Sequence, residues 1–243
     1  CHKGADLVGI RYERLINWVK PVEADESGEW KVAAEKAFRV IAGDYVTTED
    51  GTGIVHIAPT FGADDAFVAR AAGIPSLFMI NKRGETRPMV DFTGKFYNVE
   101  DLDEKFVAEC VDVEAYKEYA GRWVKNAYDP QFTVDGRYDE KAAAAAETLD
   151  IYICMKLKSE GLVFRIEKHT HNYPHCWRTD KPVLYYPLDS WFIRTTALKE
   201  RMMELNTTIR WKPESTGTGR FGKWLENLND WNLSRSRYWG TPL

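Results

Sequence analysis

The stretch Gly51-Thr-Gly-Ile-Val-His-Ile-Ala-Pro-Thr-Phe-Gly-Ala-Asp-Asp65 decides how the surrounding chain folds. Its two glycines follow an acidic pair and suit a tight turn with positive φ. The branched side chains of residues 54–57 favour a β-strand, and Pro59 ends that strand. We therefore predict a turn and a short strand that carries His56 near its end.

A helix is predicted directly after this strand. Residues 66–72 form a helix-forming run that stops at Gly73, and Asp64 and Asp65 precede it. Carboxylates at a helix N-terminus accept backbone N–H groups and are favoured by the helix dipole. His56 and Asp65 are expected to face one shallow pocket, where the carboxylate binds an ammonium group. Spacing alone favours a helix cap and a structural histidine by about two to one.

The rest of the pattern indicates a mixed α and β chain. Strands are predicted at residues 38–41, 45–46, 76–80, 162–166 and 183–186, and helices at residues 100–119, 140–159 and 195–205. Gly161 is predicted to end the second of these helices. Residues 82–85 are predicted to form a turn, and residues 213–222 a glycine-rich loop.

Composition places the chain among intracellular globular proteins. Its 243 residues are 44% hydrophobic, which is enough for a buried core. No apolar run approaches the ~18 residues of a membrane span, so no membrane partner is expected. The four cysteines show no pairing pattern, which favours free thiols in a reducing compartment. A cytoplasmic location is therefore predicted.

The net charge of −4 is unevenly distributed along the chain. Residues 159–243 contain 13 Lys and Arg against 9 Asp and Glu, whereas residues 1–158 contain 20 against 28. RNA binding requires cations at the phosphates. We therefore expect the acidic part to contact only a short RNA end, with more backbone contacts in the basic part. A merely solvated charged face is about equally consistent with the pattern.

A cluster of possible metal ligands occurs late in the chain. His169, His171, His175 and Cys176 lie close together, but their spacing matches no zinc pattern, and Thr179 stands where a second cysteine would complete a Cys-x-x-Cys pair. Structural zinc has odds of about one in ten. No metal site is predicted.

The opening stretch resembles the hydrolytic-site segment of the editing domain in isoleucyl-tRNA synthetases, which are class I aminoacyl-tRNA synthetases. Residues 173–178, 190–193 and 231–242 resemble the segments by which that inserted domain returns to the catalytic domain. His56 points to the isoleucyl branch, because valyl enzymes usually carry lysine there. The valyl branch remains the alternative.

The resemblance implies a β-barrel-like editing domain with peripheral helices in residues 1–158. Residues 159–243 would form a return segment toward the catalytic domain. The implied reaction is hydrolysis of the ester in valyl-tRNA(Ile). A pocket shaped for isoleucine rejects valine by only about 1–3 kcal/mol, a magnitude known for this enzyme family rather than derived from this chain. A second, hydrolytic site therefore corrects the error.

The resemblance also assigns roles to individual residues. Asp65 is the expected catalytic residue and would hold the α-ammonium of the misattached valine, while His56 would line the pocket and exclude the larger isoleucine. The other expected substrate-binding residues are Gly53, Phe61, Gly62 and Asp64, and the expected RNA-binding residues are Arg235 and Arg237. Partners would be the 3′ end of tRNA(Ile) and the remainder of the synthetase chain.

Two departures from the family pattern limit the expected activity. The family's threonine-rich editing peptide, of the form Thr-Thr-x-Pro-Trp-Thr, does not occur in this sequence. The signatures His-Ile-Gly-His and Lys-Met-Ser-Lys-Ser are also missing, so no ATP-dependent aminoacylation by these residues is predicted. ATP and Mg are expected cofactors only of the parent enzyme. A non-catalytic module that docks a tRNA end is the alternative function.

Overall fold

A computed structural model describes residues 3–24, 27, 29–49, 52–134, 137–168, 172–178 and 180–234. The chain divides into two compact units, Cys1–Pro187 and Leu188–Leu243. The family resemblance predicts a different division, at residue 158, between an editing domain and a return segment. That division concerns function, and it stays a prediction.

Seven α-helices and eight short β-strands are present among the described residues. The helices are α1 (Ala63–Ala71), α2 (Glu104–Cys110), α3 (Val113–Tyr116), α4 (Glu140–Ala145), α5 (Leu149–Ser159), α6 (Lys199–Thr208) and α7 (Phe221–Glu226). The strands are β1 (Val22–Ala24), β2 (Trp30–Val32), β3 (Met79–Ile80), β4 (Thr86–Arg87), β5 (Thr133–Val134), β6 (Arg137–Tyr138), β7 (Phe192–Ile193) and β8 (Trp231–Asn232). Consecutive strands pair antiparallel into four two-stranded sheets.

The mixed α and β class is confirmed, but the prediction of a β-barrel-like core is wrong for the part of the chain that the structure describes. Its four sheets hold two strands each and do not close. Residues 38–41 and 54–57 are not strands. Phe38 has φ of 55°, a left-handed conformation that a strand does not accommodate. Ile54 and Val55 are 62% and 52% exposed. Because β-propensity reflects packing against a neighbouring strand, these exposed side chains do not stabilise a strand here.

An aromatic cluster forms the core of the first unit. Trp18 stacks on Tyr119 with 4.1 Å between ring centroids, and Tyr116 lies 5.7 Å from Trp18. The Tyr116 hydroxyl donates a 2.7 Å hydrogen bond to the carbonyl of Tyr97, which satisfies the only polar atom of that buried ring. Met79 and Ile80 of β3 are fully buried against the same core. The β3–β4 hairpin is therefore fixed to the core.

Two predicted helices are each divided in the structure. Residues 100–119 contain α2 and α3, separated where the Asp112 carboxylate accepts the N–H of Ala115 and starts a new helix. Residues 140–159 contain α4 and α5. Asn126 donates to the carbonyl of Ala143 at 2.9 Å near the end of α4, and Thr148 caps α5. Local caps therefore outweigh the helix propensity of the alanine run.

Residues 216–222 are helical, with a kink at Gly219, so the prediction of a glycine-rich loop over residues 213–222 is wrong for most of that range. A π-helical turn over Thr216–Arg220 leads directly into α7. A Cβ on Gly217 would lie 2.1 Å from Cδ1 of Trp211, so glycine is required for this close approach. Asn206 then donates to the Gly217 carbonyl at 2.9 Å. These contacts within the second unit compensate for the low helix propensity of glycine.

Candidate functional site

A tightly closed loop leads into α1. The N–H groups of Phe61 and Gly62 donate to the carbonyl of Ala58 at 3.1 and 2.9 Å, which folds residues 58–62 back on themselves. Gly62 is the N-cap residue, and Asp64 and Asp65 occupy the first turn of α1. The predicted placement of both carboxylates at a helix N-terminus is confirmed. We call residues 58–65 the site loop.

The Asp65 carboxylate closes the site loop instead of capping the helix. Its Oδ2 accepts a 2.9 Å hydrogen bond from the N–H of Ala58, seven residues earlier. The side chain is half-buried, whereas Asp64 is exposed. Among the described residues, no hydrogen-bond donor contacts Oδ1 of Asp65. One oxygen is thus used for positioning and the other is available to a ligand.

Glycine is required at position 62 because the Asp65 side chain lies directly against it. A Cβ at this position would be 2.5 Å from Oδ2 of Asp65 and 3.0 Å from its Cβ. Any side chain at Gly62 would therefore displace the carboxylate from the Ala58 N–H. The sequence marked Gly62 as a site residue, and the structure supplies this reason for it.

Thr60 anchors the site loop to the segment that precedes β3. Its side chain is buried, and its hydroxyl both donates to the carbonyl and accepts from the N–H of Leu77, each at 3.0 Å. A buried hydroxyl with both roles satisfied holds the loop at a fixed position. Sequence reasoning missed Thr60, and only the run of β-prone residues at 76–80 hinted at a nearby partner segment.

Phe61 packs against an aromatic residue that sequence reasoning also missed. The ring of Tyr186 meets Phe61 edge-on at a centroid distance of 6.4 Å and contacts Phe92 at 4.7 Å. The Tyr186 hydroxyl donates a 3.0 Å hydrogen bond to the carbonyl of Val90. Burial raises the pKa of Tyr186, so the hydroxyl stays protonated and keeps this bond. Phe61 is therefore fixed from outside its own loop.

Thr52 and Gly53 form a bend before the site loop, whereas Asp50 and Gly51 of the predicted turn lie outside the described residues, and His56 lies outside any described strand. Gly53 has φ of 76°, and the Thr52 hydroxyl accepts the N–H of Ile54 at 3.3 Å. His56 is exposed. Within the described part of the chain no hydrogen bond or ion pair joins His56 to Asp65, so their common pocket stays a prediction.

Several other predicted positions cannot be placed. Arg235, Arg237, His169 and His171 lie outside the described residues. The Nδ1 of His175 lies 2.9 Å from the carbonyl oxygen of Asp180, which occupies one ring nitrogen. No group of three or more possible metal ligands occurs in the described ranges.

None of the helices found there has the length and apolarity to cross a membrane.

The sequence of the chain is similar to those of known proteins along almost its whole length. The family model for tRNA synthetases class I (I, L, M and V) matches residues 11–243. Over 242 residues the chain is 79% identical to an isoleucine-tRNA ligase of Bacteroides thetaiotaomicron, covering 100% of this chain and 21% of that protein.

More distant relatives carry the same name. An isoleucine-tRNA ligase of Porphyromonas gingivalis is 63% identical and one of Clostridium tetani is 38% identical, with 99% of this chain covered in both cases and 19% and 18% of those proteins. The chain thus spans about a fifth of the length of the curated relatives it matches. The resemblance to isoleucyl-tRNA synthetases is confirmed, and the chain belongs to the class I tRNA synthetases.

Proposed function

We propose that the site loop hydrolyses the ester of valyl-tRNA(Ile), as the editing site of an isoleucyl-tRNA synthetase. The observation that carries the proposal is the Asp65 carboxylate, which the N–H of Ala58 holds through one oxygen at 2.9 Å. A carboxylate fixed in this way, whose second oxygen has no described hydrogen-bond partner, suits an amino acid ammonium. A charge-assisted hydrogen bond of this kind contributes about 1.5–3 kcal/mol.

The residues before the site loop would form the wall that contacts the amino acid side chain. Ile54 and Val55 are more than half exposed, and His56 is exposed beside them. An apolar surface next to an imidazole can accept the small side chain of valine. His56 would exclude the additional methylene of isoleucine, so the site corrects what the synthetic pocket cannot reject.

Catalysis would come mainly from orientation. Water attacks the ester carbonyl carbon, the bond from that carbon to the ribose oxygen breaks, and a proton from the water passes to the ribose oxygen. Neither Asp65 nor His56 needs to transfer a proton in this scheme. Fixing the ammonium end of the substrate places the ester beside water, and well-oriented reactants gain several kcal/mol over free ones.

The wider assignment follows from the same proposal. Residues 1–158 would be the editing domain, and residues 159–243 the return segment, with Arg235 and Arg237 contacting RNA. Gly53, Phe61, Gly62 and Asp64 would shape the substrate pocket. The remainder of a synthetase chain would supply the catalytic domain, which uses ATP and Mg, and the whole enzyme would work in the cytoplasm.

The decisive experiment measures deacylation of valyl-tRNA(Ile) by this chain and by a longer chain that includes the threonine-rich peptide. Asp65→Ala is expected to lower kcat/KM by about 10- to 100-fold in whichever chain is active, because the ammonium loses its anion. Glu104→Ala is the matched control, since Glu104 is an exposed carboxylate in the first turn of α2. Release of valine by neither chain would refute the hydrolase.

A docking module that binds a tRNA end without turnover is the second candidate. It is favoured by one observation, namely that the threonine-rich peptide of the family's editing pocket does not occur in this sequence. This candidate predicts that both chains bind valyl-tRNA(Ile) and leave the ester intact.

A further inference from the structure

A hairpin-shaped segment near the end of the first unit brings a tyrosine to the site loop. The segment comprises residues 173–186 apart from residue 179, and we call it the tyrosine arm. The N–H of Cys176 donates to the carbonyl of Lys181 at 2.8 Å, and the N–H of Val183 donates to the carbonyl of Pro174 at 3.0 Å. These bonds pair the two sides of the tyrosine arm, so its shape is defined by its own backbone.

Both sides of the tyrosine arm are attached to other parts of the first unit. Nζ of Lys181 donates to Oγ1 of Thr133 in β5 at 3.2 Å and lies 5.6 Å from the ring centroid of Tyr138 in β6. On the other side, Nζ of Lys125 lies 4.7 Å from the ring centroid of Tyr173. Ammonium groups over aromatic rings are attracted by the ring electrons. The rest of the first unit therefore sets the position of the arm.

Tyr186, the last residue of the tyrosine arm, is held at both ends of its side chain. Its ring contacts Phe92 at a centroid distance of 4.7 Å and Phe61 of the site loop at 6.4 Å. Its hydroxyl donates a 3.0 Å hydrogen bond to the carbonyl of Val90, which is buried and forms a β-bridge with Phe96. The ring that covers Phe61 is thus tied to backbone that belongs to the core side of the unit.

The contact at Phe61 reaches Asp65 through one intervening residue. The carbonyl of Ala58 accepts the N–H of Phe61 at 3.1 Å, and the N–H of Ala58 donates to Oδ2 of Asp65 at 2.9 Å. Ala58 therefore connects the residue that Tyr186 covers with the carboxylate proposed to hold the substrate ammonium. A shift of Phe61 would move Ala58 and change the orientation of that carboxylate.

We propose that Tyr186 is a positioning residue of the editing site, which keeps the site loop in the geometry that presents Asp65 to the substrate. This inference rests on the proposed function. Tyr186 acts through Phe61 and does not itself contact the substrate. The proposed division at residue 158 assigns Tyr186 to the return segment. That segment would therefore contribute to editing, and an editing unit that ended at residue 158 would lack this support.

The test uses Tyr186→Leu, which removes the ring and the hydroxyl and keeps an apolar side chain. Hydrogen exchange at the N–H groups of Phe61 and Gly62 should become about 2- to 10-fold faster, because an aromatic pair changes a local opening equilibrium by about that factor. The N–H groups of α2 serve as the internal reference. The single-turnover deacylation rate at saturating valyl-tRNA(Ile), in whichever chain is active, should fall by about 10- to 100-fold.

Two further variants separate positioning from a general loss of stability. Tyr152→Leu is the matched control, because Tyr152 is also half-buried, meets Tyr119 edge-on at 6.0 Å and donates to Glu118 at 3.1 Å, away from the site loop. It should leave exchange at the site loop and the deacylation rate unchanged. Tyr186→Phe keeps the ring contacts and should restore most of the rate that the leucine variant loses.

The possible results distinguish this proposal from the proposed hydrolase. Failure of the hydrolase appears as no release of valine by the unaltered chains, whereas failure of the positioning role appears as a normal rate in Tyr186→Leu. Exchange at Phe61 and Gly62 that is no faster in Tyr186→Leu than in Tyr152→Leu would also overturn the positioning role. A phenylalanine variant as impaired as the leucine variant would overturn the route through the ring contact with Phe61.

Discussion

The N–H of Ala58 donates a 2.9 Å hydrogen bond to Oδ2 of Asp65, so the carboxylate at the start of α1 is positioned by backbone that precedes the helix. The bond closes the site loop, residues 58–65, which also contains Thr60, Phe61 and Gly62. Each of these three residues has a different contact that keeps the loop in place. The geometry of Asp65 is therefore testable through residues that need not touch the substrate.

Gly62→Ala is expected to lower the deacylation rate by about 10- to 100-fold with little change in global stability. The added Cβ would lie 2.5 Å from Oδ2 of Asp65 and would push the carboxylate away from Ala58. Single-turnover deacylation and thermal unfolding measure the two effects. Gly4→Ala is the control, because its Cβ would meet no atom within 4 Å. Equal rates for both variants would contradict the positioning role of Gly62.

Thr60→Val is expected to lower the free energy of unfolding by about 1–3 kcal/mol. Valine keeps the shape but leaves the N–H and carbonyl of Leu77 without the hydroxyl that bonds both at 3.0 Å. Urea denaturation measures the loss. Thr60→Ser retains the hydroxyl and should be clearly more stable than the valine variant. If serine and valine are equally destabilising, the hydrogen bonds are not the cause.

Gly53→Val is expected to destabilise the turn by about 1–2 kcal/mol, because a branched residue is strained at φ of 76°. Gly53→Asn should cost less, since asparagine tolerates this left-handed conformation. A Cβ at this position also meets Cγ2 of Thr48 at 3.1 Å. Chemical denaturation of the two variants gives the comparison. A valine variant as stable as the asparagine variant would show that the turn adopts another conformation.

Tyr128→Phe is expected to raise stability at neutral pH by about 1 kcal/mol, because the Tyr128 hydroxyl is buried and has no hydrogen-bond partner among the described residues. Thermal unfolding at pH 7 measures the gain. Tyr12→Phe, at a ring that is 53% exposed, is the control and should change stability little.

The same substitution should alter the response to alkaline pH. Burial raises the pKa of Tyr128 to about 12, against about 10 in the unfolded chain. The unfolded chain therefore ionises at a lower pH than the folded protein does. The stability of the fold is unaffected by this group below pH ~10, and it falls as the pH rises from ~10 toward ~12. Tyr128→Phe should therefore lose less stability than the unaltered chain over this interval. Identical losses would contradict the burial of the hydroxyl.

Features encoded within a few residues could be predicted from the sequence. The helix after Asp65 was expected over residues 66–72 and lies at Ala63–Ala71, and Gly73 follows it with φ of 67°. The same holds for Gly161, which follows α5 with φ of 73°. Glycine and carboxylate signals act through their own backbone, so no knowledge of distant contacts is needed.

Features that depend on distant partners could not be predicted in this way. Residues 54–57 have strand-forming side chains, but none of the described strands pairs with them, so their propensity is not realised. Thr60 and Tyr186 were missed as supports of the site because their partners, Leu77 and Phe61, lie far away in the sequence. The helix at Thr216–Arg220 likewise depends on contacts that a glycine-rich pattern does not reveal.

The edge-on contact between Phe61 and Tyr186 also sets an order of events during protein synthesis. Residue 186 is translated long after residue 61, and ribosomes add about 5–20 residues per second. The Phe61 ring therefore lacks its cover for about 6–25 s in each newly made chain. Until then the loop that carries Asp65 lacks this contact on the nascent polypeptide.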